Sequence, residues 1–165
     1  MNKFEIYTQI LREELKPAMG CTEPVAVSLC TARAVELLGA EPERIDVLLS
    51  PNVLKNAMGV GIPGTGMIGL PIAIALGAIV GRSESGLEVL RDANEGAVKK
   101  GRDYIDQKRI AIDLKQGITE KLYIEVKTIA ASHSATAIIS GGHTTFVYLE
   151  RDGEILLDNR SAQGE

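Results

Sequence analysis

Up to Gln107 the apolar positions recur every three or four residues, and beyond it they alternate with polar ones or run β-branched. The first spacing marks one face of an α-helix and the second a strand. Phe4, Tyr7, Ile10, Leu11 and Leu15 predict an amphipathic helix over Phe4 to Leu15, which Pro17 ends. A second helix is expected over Pro24 to Leu38, closed by Gly39. The run RIDVLL, Arg44 to Leu49, reads as a short strand, and Asn52 to Met58, after Pro51, as one or two helical turns. Met67 to Val80 reads as a continuously apolar helix suited to a core, and Ser85 to Gln107 as one long helix with a charged face. Strands are expected over Arg109 to Lys115, Leu122 to Ala131, Ala135 to Ser140, Thr144 to Leu149 and Glu154 to Leu157, with ERDG as a hairpin signal between the last two. A helix-rich amino-terminal half and a strand-rich carboxy-terminal half predict an α+β domain, its helices packed on one face of a mostly antiparallel sheet. No repeat or linker divides residues 1–165, so a single domain is expected.

Composition narrows the possibilities. A chain of 165 residues is long enough to bury about two-thirds of the surface its unfolded form exposes, without help from a metal or a disulfide. The chain is 45% apolar with two Phe, four Tyr and no Trp, so the core is aliphatic. A net charge of −4 with no basic block leaves no electrostatic footprint for nucleic acid. Two cysteines and an amino-terminus, MNKFEIYTQILREELK, without a continuous apolar stretch point to a reducing, cytoplasmic setting. Between Lys55 and Arg82 there is no charge, a length that suggests a membrane span. Gly59, Gly61, Gly64, Gly66 and Pro63 argue against one, because lipid requires a backbone that satisfies its own hydrogen bonds.

Candidate chemistry begins in MGCTEPVAV. Gly20 frees the backbone, Thr22 and Glu23 are capping residues, and Pro24 suits a first helical turn, which sets Cys21 just before a helix start. There the helix dipole favours a thiolate, which serves as nucleophile, base or metal ligand; a small residue filling a tight turn is the alternative. Cys30 falls inside the helix beside Ala26 and Leu29, a core position. GVGIPG matches a dinucleotide fingerprint in letters only, since PNVLKNAM separates it from the preceding strand. The loop with Gly64, Thr65 and Gly66 either approaches a smaller ligand or turns the chain. Asn52, Lys55 and Asn56 share one face of a helical turn, able to hold a small carboxylate or simply to meet solvent. His143 follows two glycines in SGGHTT between two apolar strands, a proton carrier or a hydrogen-bonded turn residue, with His133 the other histidine.

GCTEP at 20–24, SPNVLKNAMGVGIPGTGMIGLPIA at 50–73, GLEVLRDA at 86–93 and SGGHTTFVYLE at 140–150 together resemble the L-cysteine desulfidase family. That family is also catalogued as the uncharacterised protein family UPF0597, similar to the α chain of iron–sulfur L-serine dehydratases. The resemblance implies a lyase independent of pyridoxal phosphate (PLP). It would convert L-cysteine to pyruvate, ammonia and hydrogen sulfide, or L-serine to pyruvate and ammonia, with a [4Fe–4S] cluster as Lewis acid. Cys21 would match the proposed catalytic base and is also a candidate metal ligand; His143 would join it as catalytic. Thr22, Glu23, Asn52, Lys55, Asn56, Gly64, Thr65 and Gly66 would contact the amino-acid substrate. Two cysteines cannot hold a cubane, so its ligands are expected outside this chain. The chain is then expected to be the amino-terminal portion of a longer enzyme or one subunit of a split one, inactive alone. Its expected partners are the amino acid and a carboxy-terminal half or partner subunit, with a homodimer also compatible. The other classes are a non-catalytic amino-acid-binding module and an assembly domain.

Overall fold

Alternation of side chains along Arg44–Leu49 (β1) turns Ile45, Val47 and Leu49 to one side, where all three are buried. The same alternation in Tyr123–Ala130 (β3) buries Ile124, Val126 and Thr128. These strands are neighbours in a six-stranded sheet ordered β2-β1-β3-β4-β5-β6, in the computed structural model, which describes residues 22–58, 69–91 and 93–160. The remaining strands are Ile110–Leu114 (β2), His133–Ser140 (β4), Phe146–Arg151 (β5) and Glu154–Asp158 (β6). Every pairing is antiparallel except β1 with β2. A parallel pair needs a long crossover, and the chain between β1 and β2 supplies it as helices.

Those helices, with the one that precedes β1, form the second layer. They are Thr22–Leu38 (α1), Pro51–Met58 (α2), Leu70–Val80 (α3) and Glu95–Asp106 (α4). α1 lies over β3 and β4: the Cys30 thiol donates to the Ala137 carbonyl at 3.2 Å, and the Thr128 hydroxyl to the Ala34 carbonyl at 3.1 Å. The core between the layers is aliphatic, built on residues such as Leu29, Ile45, Leu76, Ile124 and Ile139. The sheet's other face is polar, with Tyr123 donating to Glu125 at 2.6 Å and Lys115 beside the same carboxylate at 3.2 Å. The architecture is therefore the expected α+β arrangement, helix-rich first and strand-rich later.

One element departs from the sequence expectation. Ser85 to Gln107 is not a single long helix but a 3-10 segment, Ser83–Glu88, a turn, and then α4. Gly86 has φ 56°, a conformation that breaks an α-helix and suits glycine. Asn94 is extended, and its side chain accepts the Ala97 amide at 2.9 Å, capping a new helix. The expected hairpin after β5 turns at Asp152 and Gly153, both at positive φ, the geometry that Asp-Gly favours. The expected helix over Phe4 to Leu15 lies outside the described residues. No helix among those described is long and apolar enough to cross a membrane.

Candidate functional site

The direction of α1 decides what meets what. Along it, Cys30 faces Ala137 and Ala34 faces Thr128, so α1 runs against β4 and begins where β4 ends. α3 is held parallel to α1 by a close contact. The buried Ser28 hydroxyl donates to the Ala73 carbonyl at 2.7 Å, and it also sits 3.3 Å from the Pro24 carbonyl of its own helix. A Cβ on Gly77 would stand 2.5 Å from the Ser28 carbonyl oxygen, and one on Gly81 would stand 2.8 Å from Ala32 Cβ. Glycine at these positions lets the two backbones approach. The amino-terminal ends of α1 and α3 thus lie side by side at one end of the sheet, where Gly69 at φ 94° leads into α3 without a side-chain cap.

At that end Glu23, in the first turn of α1, approaches His143 in the loop between β4 and β5. Glu23 Oε1 and His143 Nε2 are 3.6 Å apart, with the two side chains 14% and 29% exposed. Glu23 Oε2 and His143 Nε2 are withdrawn from solvent and have no hydrogen-bond partner among the described residues. Buried polar atoms without partners are costly, by about 1–3 kcal/mol each, and are commonly kept where a ligand or a proton supplies the missing bond. The position of the carboxylate is favoured by the positive end of the α1 dipole. The loop carrying His143 is tightly tied: Gly141 N donates to Leu122 O at 3.2 Å, Ser140 N to Thr145 O at 3.1 Å, and Thr145 N to Gly142 O at 3.1 Å. A Cβ on Gly142 would come within 2.6 Å of Thr145 Oγ1. A carboxylate facing an imidazole on a rigid loop is suited to holding an ammonium group and to moving a proton.

Of the residues expected at a site, the structure thus brings Glu23 and His143 together. Thr22 is the first residue of α1. Asn52, Lys55 and Asn56 lie on α2, which leaves the same end of the sheet after Ser50 N bonds Tyr123 O at 3.1 Å. Their side chains are exposed, and no hydrogen bond or ion pair joins them to Glu23 or His143 among the described residues. Cys21, Gly64, Thr65 and Gly66 lie outside the described residues. Cys30 is wholly buried, and burial pushes its thiol pKa far above the usual range. The resemblance grouped Glu23 and His143 at one site, but no local pattern shows that they face each other, because the pairing depends on which way α1 crosses the sheet.

An iron–sulfur cluster would need several thiolates, and the described residues do not fit one. Cys30, the one cysteine described, donates a hydrogen bond to a strand carbonyl, and no group of three His, Cys, Asp or Glu side chains is gathered to hold a metal among the described residues. Fold and pair together define an α+β domain with a carboxylate–imidazole pair at the helix-start end of its sheet. The chain is 62% identical over 156 residues to a UPF0597 protein of Bacteroides fragilis, an alignment covering 94% of this chain and 36% of that protein. It is 61% identical over 156 residues to a UPF0597 protein of Bacteroides thetaiotaomicron, again 94% and 36%. One from Clostridioides difficile is 47% identical over 151 residues, 92% and 35%. These relatives support membership of the UPF0597 family, and the chain spans about a third of the length of the curated relatives it matches. No family model and no solved structure matches the chain.

Proposed function

We propose that this chain forms part of a PLP-independent, iron–sulfur-dependent amino-acid lyase of the L-cysteine desulfidase or L-serine dehydratase type. The observation that carries the reading is the Glu23–His143 pair, 3.6 Å apart, with Glu23 Oε2 and His143 Nε2 buried and without a hydrogen-bond partner among the described residues. Elimination needs a place for the substrate's ammonium group, a base for the α-proton and a proton for the departing group. Glu23 accepts hydrogen bonds from the ammonium. His143 exchanges a proton with the leaving sulfur or oxygen, and Cys21 is the proposed base. L-cysteine and water give pyruvate, ammonia and hydrogen sulfide; L-serine gives pyruvate and ammonia. The cluster ligands lie elsewhere in this reading, and no step is assigned to the cluster.

The test is sulfide and pyruvate release from L-cysteine and L-serine by the protein as its gene encodes it, purified anaerobically. His143→Asn should lower kcat about a hundredfold, in the range of a lost acid–base group. Glu23→Gln should raise KM with a smaller change in kcat. Wild-type rates in both variants, with the fold intact by circular dichroism, would overturn the assignment.

A further inference from the structure

At the far end of α1 from the Glu23–His143 pair, the molecule holds a second concavity. α1 is 17 residues long, which separates its two ends by about 25 Å. Gly39 at φ 76° stops the helix, the chain turns through Ala40 to Pro42, and a cavity of about 570 Å³ opens between this turn, the end of α3 and the end of α4. That volume is ordinary for a small-molecule site. Its apolar lining is Val35, Ala78 and Ile79. One wall is fixed: buried Tyr104 donates its hydroxyl to the Pro42 carbonyl at 2.5 Å, and the Arg109 guanidinium sits 5.3 Å from the centre of its ring. Around the rim stand two carboxylates, Glu41 and Asp103, and two cations, Lys100 and Arg109.

Arg109 packs on the Tyr104 ring, whereas Glu41, Lys100 and Asp103 are uncommitted among the described residues. Among the described residues, no ion pair within 4 Å ties any of them to a neighbour, although Lys100 and Asp103 are one helical turn apart. Opposite charges around an apolar hollow, unpaired with one another, match a ligand that carries both signs itself. The negative ends of the α1 and α3 dipoles border the cavity and add to the attraction for its cation. We infer that this cavity binds a small zwitterion with an aliphatic side chain, an α-amino acid. Glu41 and Asp103 receive its ammonium group, Lys100 and Arg109 its carboxylate, and Val35, Ala78 and Ile79 its side chain. This site is separate from the Glu23–His143 pair and does not depend on the lyase reading.

Isothermal titration calorimetry on the protein as its gene encodes it provides the test, with L-leucine, 4-methylpentanoate and 3-methylbutylamine as probes. The last two are leucine without its ammonium and without its carboxylate. Leucine should bind at least about tenfold more tightly than either, the equivalent of one 1.4 kcal/mol interaction. Asp103→Asn should remove its advantage over 4-methylpentanoate, and Lys100→Gln should weaken its advantage over 3-methylbutylamine. Both positions are exposed, so neither change threatens the fold. Glu23→Gln should leave the binding unchanged, which separates this site from the other. Equal heats from all three probes, no heat from leucine at about 10 mM, or loss of binding in Glu23→Gln would each overturn the inference.

Discussion

The two ends of α1 treat charge in opposite ways. At the start, one carboxylate and one imidazole are drawn out of water, with polar atoms left unpartnered among the described residues. At the finish, four charged side chains stand around an open cavity, three of them exposed and the fourth, Arg109, packed on the Tyr104 ring. Withdrawn groups are strongly coupled and costly to disturb, whereas hydrated ones are nearly independent because solvent screens them. The first end is therefore sensitive to small displacements of its helices, and the second is tolerant.

The largest effect is expected where the two helices that build both ends touch. Gly77→Ala puts a Cβ 2.5 Å from the Ser28 backbone oxygen, so α3 must move away from α1. Overpacking of this kind costs about 1–3 kcal/mol, read as a fall in the denaturant midpoint. An unchanged midpoint would mean that the helix contact does not hold the two ends in place. Next comes a double-mutant cycle on the pair itself. Glu23→Gln and His143→Asn should show a coupling of about 1 kcal/mol in stability, while the same cycle on Lys100→Gln and Asp103→Asn should show about zero. Equal couplings would erase the contrast between the ends. Ser28→Ala should follow at about 1 kcal/mol, the net loss of one buried hydrogen bond to Ala73 O.

The smallest effect belongs to the β5–β6 hairpin, which carries no residue of either site, as an internal control. The Asp152 carboxyl is held below its usual range of 3.8, first by the Ser134 amide and then by His133 at 2.9 Å. A lowered folded pKa contributes stability that is present above the unfolded value and lost as the pH falls through the folded one. Asp152→Asn should therefore flatten thermal stability slightly below pH 4, with neither end of α1 affected. The same slope in wild type and variant would remove Asp152 as its source.

Much of this was legible in the sequence because it rests on local periodicity. The alternation of Ile45, Val47 and Leu49 and of Ile124, Val126 and Thr128 was enough to place β1 and β3, and the ERDG turn to place the last hairpin. The break between Ser83–Glu88 and α4 was not seen, because the helical period continues across Gly86 and Asn94 while their backbone preferences end the helix. At the candidate site, the residue types were legible in local patterns, while their meeting was expected only from the resemblance. Glu23 was visible as a helix-start acid and His143 as a turn histidine. Their approach depends on the Cys30–Ala137 and Thr128–Ala34 contacts that fix the path of α1, and no local pattern encodes those. The cavity at the far end was invisible for the same reason, since its lining comes from three separated segments and its charges from two of them.

Cys30 gives the molecule a clock. Its sulfur is sealed between α1 and the sheet, protonated and bonded to Ala137 O, so an alkylating reagent meets it only when those layers part. The rate at which native protein acquires a label at Cys30 then follows the population of the opened form, residue by residue cheaper to measure than amide exchange. Any ligand that binds the closed form alone must slow that label by the factor 1 + [L]/Kd, so the thiol reports occupancy at either end of α1 without touching the ligand.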